Sequence, residues 1–384
     1  MPISTEFDEL SEAFSGRGTI GALDFLVEEL RRQSRYHELY EALKMRARVQ
    51  LGLPISPSIE ALSEEKRTAL EDSLVNACRE VGGLLLKSGN IRDGWLYYRP
   101  VGERDEVAKL LKEIPVTHDN VDDMVQVLLT EGIDPCRGFD LALQFFGTCQ
   151  SITLFDQEIV RHPLAVQRHA AARLVAKVHE DLLASVEADV KRQVTTVAPT
   201  SQIADWITDR DWLFENNAYH IDTTHLAAVV RFAKVLTDPE SLALALDLTA
   251  YGAKLAPQFH YASEEPFGEL YSDHAVFFRT LLGLDVEQGL AHFRAKAKSL
   301  DVNEYGAAPV EVYVDLLSRT GRPREALLAA VELFPTNARS VGLAPTLLDL
   351  AKAGGDFEPL LSFCRSRSDL LGYTAGLIEN AACK

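Results

Sequence analysis

The amino-acid sequence predicts an all-helical fold, and two observations carry this prediction. Apolar residues recur at steps of three and four positions in almost every segment longer than ten residues, as they do on the buried face of a helix. Alternating apolar and polar runs bounded by hairpin turns, which would indicate strands, are missing. The clearest helical patterns cover residues 20–35, 69–87 and 223–236, and short turns containing glycine or proline separate the segments.

Length and composition exclude several classes of protein. The chain has 384 residues, of which 47% are hydrophobic and 25% charged, as in ordinary globular proteins. No apolar run approaches the roughly 20 residues of a bilayer span, and the first residues are acidic where a secretory signal is basic and then apolar. We therefore expect a cytoplasmic protein without membrane association. The net charge of −18 argues against nucleic acid as a partner.

One predicted helix stands out by its length. Residues 163–193 favour a single helix of about 30 residues, or about 45 Å. Five apolar residues form its buried stripe, namely Val175, Val178, Leu182, Val186 and Val190. A β-branched, proline-containing stretch follows at 194–201 and is typical of a linker. We therefore expect an N-terminal helical module over 1–193 and a C-terminal helical-repeat module over 202–384.

Similar turns recur in the C-terminal half, each followed by the start of a helix. They begin at Asp238, Asp285, Arg322 and Asp356, at steps of 47, 37 and 34 residues. Each is expected to open the second helix of a pair. Periods of this length indicate stacked helical hairpins, so the sequence predicts an α-solenoid of antiparallel helix pairs, with the long helix near its middle.

Part of this pattern resembles a known repeat family. The sequence Thr-Gly-Arg-Pro-Arg-Glu-Ala-Leu at 320–327, with Leu-Phe-Pro-Thr-Asn at 333–337, resembles the inter-helix turn and closing proline of a tetratricopeptide repeat. Residues 89–94 are a fainter copy, and the step from Gly321 to Gly355 matches the 34-residue period of that family. The resemblance implies an α-solenoid that recognises a partner, but it does not identify the partner.

Residues 205–278 carry the strongest signal for chemistry. Four of the ten histidines lie between 220 and 274, together with acidic and aromatic residues. We expect Asp222 or Thr223 to cap a helix whose first turn contains His225. We likewise expect Ser272 to cap a helix whose first turn contains His274. If both helices open consecutive pairs, the two histidines share one edge of the stack.

This arrangement permits a metal centre. The long connection at 257–271 would bring further donors to the same edge, and imidazoles with carboxylates suit zinc, iron or another divalent first-row ion. The candidate ligands are His220, Asp222, His225, His260, Glu265 and His274. Three interpretations stay open, namely histidines that only support the core, a metal or catalytic centre, and a polar pocket without metal.

Two main functional hypotheses follow. The repeat pattern favours a recognition or scaffold protein that binds a protein or peptide, and the acidic composition favours a basic partner. The alternative is a metal-dependent hydrolase, lyase or oxygenase with its centre between 205 and 278. A subunit of an assembly without any small-molecule site is a third hypothesis.

Overall fold

The computed structural model of the chain describes residues 5–56, 62–194, 200–334 and 340–383. These residues form helices joined by turns and contain no strand, which confirms the all-helical prediction. The chain divides into two compact units, 1–147 and 148–384. The boundary expected between 193 and 202 falls within the second unit, and residues 195–199 of the expected linker lie outside the described residues. Separate roles for 1–193 and 202–384 stay a prediction.

The first unit is a series of helices in which neighbours along the chain pack together. Its helices are α1 (Thr5–Arg32), α2 (Tyr36–Gln50), α3 (Glu64–Lys87), α4 (Ile91–Tyr98), α5 (Arg104–Glu113), α6 (Val121–Val125) and α7 (Pro135–Gln157), the last of which continues into the second unit. Helix α1 kinks at Gly18, where φ is 67°. The fully buried side chains of Val27, Leu39 and Val81 join α1, α2 and α3 in one apolar cluster.

The contact between α3 and α4 depends on a glycine. A Cβ atom at Gly82 would lie 2.7 Å from the ring of Tyr98 and 3.1 Å from the carbonyl oxygen of Gly94. Glycine therefore lets the two helices approach closely at this point. The adjacent Gly83 has no such restriction, because a Cβ there would lie 3.5 Å from the Tyr98 hydroxyl, an ordinary contact distance.

The second unit is built on the long helix α8. The helices are α8 (Leu164–Gln193), α9 (Ile203–Ile207), α10 (Thr223–Phe232), α11 (Pro239–Gly252), α12 (Leu270–Leu281), α13 (Val286–Ser299), α14 (Val302–Tyr305), α15 (Ala308–Arg319), α16 (Pro323–Leu333), α17 (Leu347–Gly354), α18 (Glu358–Ser366) and α19 (Leu370–Ala382). The prediction of a 30-residue helix at 163–193 is confirmed. All five residues of its predicted stripe are fully buried, and α8 contacts α9, α10 and α11.

The repeated turns open helices as predicted. Helices α11, α13 and α16 begin directly after the predicted positions Asp238, Asp285 and Arg322, and α18 begins two residues after Asp356. Consecutive helices contact each other along most of the unit, for example α15 with α16 and α16 with α17, and this arrangement fits a solenoid. Pro335, the expected closing proline, lies outside the described residues. Within the described ranges, no helix combines the length and the apolar character needed to cross a bilayer.

The two adjacent glycines of α3 give a matched test of the α3–α4 contact. Gly82→Ala should lower the free energy of unfolding by about 1–3 kcal/mol, because its methyl group overpacks the contact with Tyr98. Gly83→Ala should raise it by about 0.5–1 kcal/mol, because alanine favours the helix and its methyl group fits. Urea denaturation followed by circular dichroism measures both, and equal effects of the two substitutions would contradict the packing described above.

Candidate functional site

The six side chains expected in a metal site lie in the second unit, where they make separate contacts. Among the described residues, no group of three or more histidine, cysteine, aspartate or glutamate side chains is arranged to hold a metal ion. Helices α10 and α12, which carry His225 and His274, do contact each other. Metal binding by the six residues stays a prediction, which elemental analysis of the purified chain tests.

His220 connects α8 to α11 and uses both ring nitrogens. Its Nε2 lies 3.1 Å from the Asp189 carboxylate, and its Nδ1 lies 2.9 Å from the Tyr251 hydroxyl. The carboxylate can only accept, so Nε2 carries the proton and Nδ1 accepts from the hydroxyl. The backbone N–H of His220 donates to the same hydroxyl at 2.8 Å. The hydrogen bond from His220, assisted by Arg192, holds the pKa of Asp189 below its usual range. Both ring nitrogens of His220 are therefore engaged in hydrogen bonds between helices.

Asp222 caps α10, and it is one of the two caps that the sequence predicted for this helix. Its Oδ1 accepts hydrogen bonds from the backbone N–H groups of Thr224 at 2.8 Å and His225 at 3.1 Å. The Thr224 hydroxyl also donates to it, and this contact is the main reason why the pKa of Asp222 lies below its usual range. His225 is half-buried in the first turn, where the sequence placed it.

The predicted start of α12 is wrong. The helix begins at Leu270 rather than at Asp273, and Glu269 rather than Ser272 occupies the N-cap position. The reason is local, because the Asp273 carboxylate accepts the backbone N–H of Glu269 at 2.9 Å and so stabilises an earlier helix start. His274 consequently lies beyond the first turn.

His274 is the most deeply buried of the candidate residues. Its Nδ1 lies 2.7 Å from the carbonyl oxygen of Leu270, so Nδ1 carries the proton and donates it. The ring stacks on Phe267 with a centroid separation of 4.2 Å. Nε2 is buried and has no hydrogen-bond partner among the described residues. Burial, together with the nearby charge of Lys234, lowers the pKa of His274 to about 3.

Glu265 belongs to an ion network at the start of α12 that the sequence did not suggest. The Lys296 ammonium donates to Glu265 at 3.0 Å and to the buried carboxylate of Asp273 at 2.8 Å, and His292 lies 2.8 Å from the other oxygen of Asp273. Burial lowers the pKa of Lys296, but its two carboxylate partners outweigh burial and raise the pKa overall. His260 is exposed and does not join this network, and its ring lies edge-on to Tyr271.

A groove along α11 and α12 in the second unit has a volume of about 1140 Å³. Its walls consist mainly of small and aliphatic side chains at helical spacing. On α11 and α12, and at the residue that directly follows each helix, these are Ala243, Leu244, Leu246, Ala250, Ala253, Ala275 and Leu282. Because alanine extends only one carbon from the backbone, a bound chain can approach both helices closely.

The charged groups of the groove differ in whether they have partners. The Arg279 guanidinium pairs with Asp285, and Asp247 pairs with His179. Glu240, exposed in the first turn of α11, has no ion-pair partner within 4.0 Å among the described residues. Glu240 is therefore the available charge of the groove, and it is negative.

The pair of Asp247 and His179 fixes the end of the groove that lies near α9. His179 Nε2 lies 2.7 Å from Asp247, whose carboxylate also accepts the backbone N–H groups of Ile203 at 2.6 Å and Ala204 at 2.9 Å. The Asp247 carboxylate thus accepts hydrogen bonds from backbone N–H groups in the first turn of α9, and these groups have no carbonyl partner within that helix. One carboxylate of α11 holds both α8 and α9 in place.

Comparison of the chain with protein-family models, with curated proteins and with solved structures finds no match. Function is therefore inferred from the geometry of the second unit.

The groove was not identified from the sequence, although one signal for it was present. Ala243, Ala250 and Ala253 recur at steps of seven and three, as on a single helix face, and Ala275 and Leu282 are also seven apart. A face of small residues on one helix is equally typical of a tight helix contact. The sequence pattern does not show that α11 packs beside α12. This packing is what makes the two faces accessible to solvent in one groove.

The burial of His274 makes the stability of the chain depend on pH. The unfolded chain binds a proton at this imidazole near pH 6.5, whereas the folded chain binds it only near pH 3. Below about pH 6.5 the unfolded state therefore binds more protons, and folding stability falls as the pH decreases. The variant His274→Gln lacks this contribution.

We expect the difference in Tm between wild type and His274→Gln to shrink, or to change sign, between pH 7.5 and pH 4.5. Differential scanning calorimetry at several pH values measures this difference. If the difference in Tm stays unchanged across this pH range, the pKa of His274 is the same in the folded and unfolded states.

Proposed function

We propose that this chain is a helical-repeat recognition protein, whose α11–α12 groove binds an extended or helical segment of a protein partner. The observation that carries the proposal is the alanine-rich face of α11, which lies beside α12 and lines a groove of about 1140 Å³. Grooves of this kind accept the apolar side chains of a peptide, while groups at the rim select its charge.

The fold supports this assignment. We infer that the helices form antiparallel pairs of a degenerate tetratricopeptide-like solenoid, as the turns at Asp238, Asp285, Arg322 and Asp356 suggested. Packing of consecutive helices from α10 to α13 and from α15 to α17 is compatible with that architecture. Solenoids of this type present extended surfaces that bind partners.

The chemistry of the groove favours a partner with aliphatic side chains and a lysine or arginine. Aliphatic side chains match the apolar walls, and a cation matches the carboxylate of Glu240. The net charge of −18 favours encounter with basic segments in the same way. Acidic segments would be repelled both at Glu240 and over the acidic surface as a whole.

A peptide-display selection tests the proposal directly. Random peptides of about 16 residues, selected on the immobilised full chain, should converge on sequences that combine aliphatic residues with lysine or arginine. Ala243→Trp should weaken binding of the selected peptides at least about tenfold, because the indole fills the groove at an exposed position of α11. Glu240→Lys should weaken the basic peptides comparably.

Ala184→Trp is the matched control, because Ala184 is an exposed residue of α8 outside the groove. It should leave the affinity within about twofold of wild type, as measured by fluorescence anisotropy with the same labelled peptides. A selection without enrichment, or selected peptides that bind Ala243→Trp as tightly as Ala184→Trp, would refute recognition at this groove.

A further inference from the structure

The second unit contains another cavity, separate from the groove and lined by aromatic rings. Its volume is about 470 Å³, within the usual range for small-molecule sites. Phe155, Phe232 and Phe267 contribute to its walls, and the rings of Phe155 and Phe232 stack with centroids 4.1 Å apart. These rings offer an apolar surface to a ligand with a hydrocarbon or aromatic body.

Two cations without partners line the same cavity. The side chains of Arg231 and Lys234 are half-buried, and neither makes an ion pair or a hydrogen bond with a described residue. Two exposed carboxylates, Asp156 and Glu264, also line the cavity, and both lie beyond ion-pair distance of these cations. Burial lowers the pKa of Lys234, and the charge of Glu264 offsets this only in part. In a chain of net charge −18, partly buried cations without partners indicate a place for an anion.

The backbone that carries Lys234 is held in position from two sides. Arg168 of α8 donates to the carbonyl oxygen of Val235 at 3.1 Å. Arg319 of α15 donates to the carbonyl oxygens of Lys234, at 2.9 Å, and Leu236. These guanidinium groups provide donors to three consecutive carbonyls in the short turn that follows α10. The ammonium group of Lys234 therefore projects from a fixed segment, as a preorganised site requires.

His274 adds a hydrogen-bond acceptor to the cavity. It is one of the lining residues, and its Nδ1 proton is committed to Leu270. The lone pair of Nε2 is consequently the group without a partner in this buried ring. A ligand that places a hydroxyl group beside the imidazole would satisfy it.

We propose that this cavity binds a small hydroxycarboxylate with an apolar body. The carboxylate pairs with Arg231 and Lys234, the apolar body lies against the phenylalanine rings, and the hydroxyl donates to Nε2 of His274. This site is independent of the groove, so either assignment can fail without the other.

Isothermal titration calorimetry of the full chain with three related probes separates these contacts. Phenyllactate carries the carboxylate, the hydroxyl and the ring, phenylpropionate lacks the hydroxyl, and phenylethanol lacks the carboxylate. We expect phenyllactate to bind most tightly, phenylpropionate more weakly, and phenylethanol at least about tenfold more weakly than phenyllactate. Equal binding of phenyllactate and phenylpropionate would overturn the contact to His274, and absence of binding by both acids at about 10 mM would overturn the site.

Two variants and a control assign the carboxylate to its partners. Lys234→Met and Arg231→Met each keep an unbranched apolar side chain but lose the charge, and each should weaken phenyllactate at least about tenfold. Lys254→Met removes an exposed charge elsewhere in the second unit and should leave the affinity within about twofold. Circular dichroism establishes that each variant folds. If Lys234→Met does not fold, the affinity of Arg231→Met for phenyllactate tests the assignment by itself. Equal affinities of the folded variants and the control would refute the assignment.

Discussion

The second unit depends on the apolar stripe of α8. Val175, Val178, Leu182, Val186 and Val190 are fully buried along one face of a continuous 30-residue helix. Burial of each such side chain contributes about 1.5–3 kcal/mol relative to exposure. Helices α9, α10 and α11 pack against α8, so one continuous helix sets the positions of three helices that follow it in the chain.

Polar side chains along α8 fix the positions that apolar contact alone leaves undetermined. Near its start Arg168 holds the backbone after α10, in its middle His179 pairs with Asp247 of α11, and near its end Asp189 pairs with His220. Hydrophobic contact has no direction, whereas each of these hydrogen bonds requires a particular position of its partner.

The parts that could be predicted from sequence are those that depend on local physics. The length of α8 and its buried face follow from helical periodicity, and the Asp222 cap follows from hydrogen bonds to residues two and three positions away. The start of α12 also depends on local contacts, yet the predicted cap at Ser272 was wrong, because the helix begins one turn earlier, after Glu269. The carboxylate of Asp273 bonds to the backbone of Glu269, and Lys296 and His292, from α13, hold that carboxylate in place. The contact that favours the earlier helix start is local, but residues about twenty positions away hold the carboxylate that makes it.

The functional surfaces were harder to predict, because they arise where distant segments meet. His179 and Asp247 are 68 residues apart, and Phe155 and Phe232 are 77 apart, so no spacing rule relates them. The histidine cluster at 220–274 was a real feature of the sequence, but folding gives its members different tasks. His220 becomes a link between helices with both nitrogens engaged, whereas one buried nitrogen of His274 has no partner in the part of the chain that the structure describes. Residue type alone could not distinguish these two environments.

Helix α12 connects the two surfaces, because adjacent faces of this helix line different sites. Ala275 and Leu282 face the groove, and His274 contributes to the cavity. Its distance from α11 is set by Gly252, where a Cβ would lie 2.2 Å from the ring of Tyr271. The ion network around Asp273 anchors its first turn, and the rings of its buried side lie in an aromatic cluster with Phe267 and Phe293. A helix fixed at its start, along its buried side and against α11 cannot shift toward one site without disturbing these contacts, so the groove and the cavity share a rigid wall.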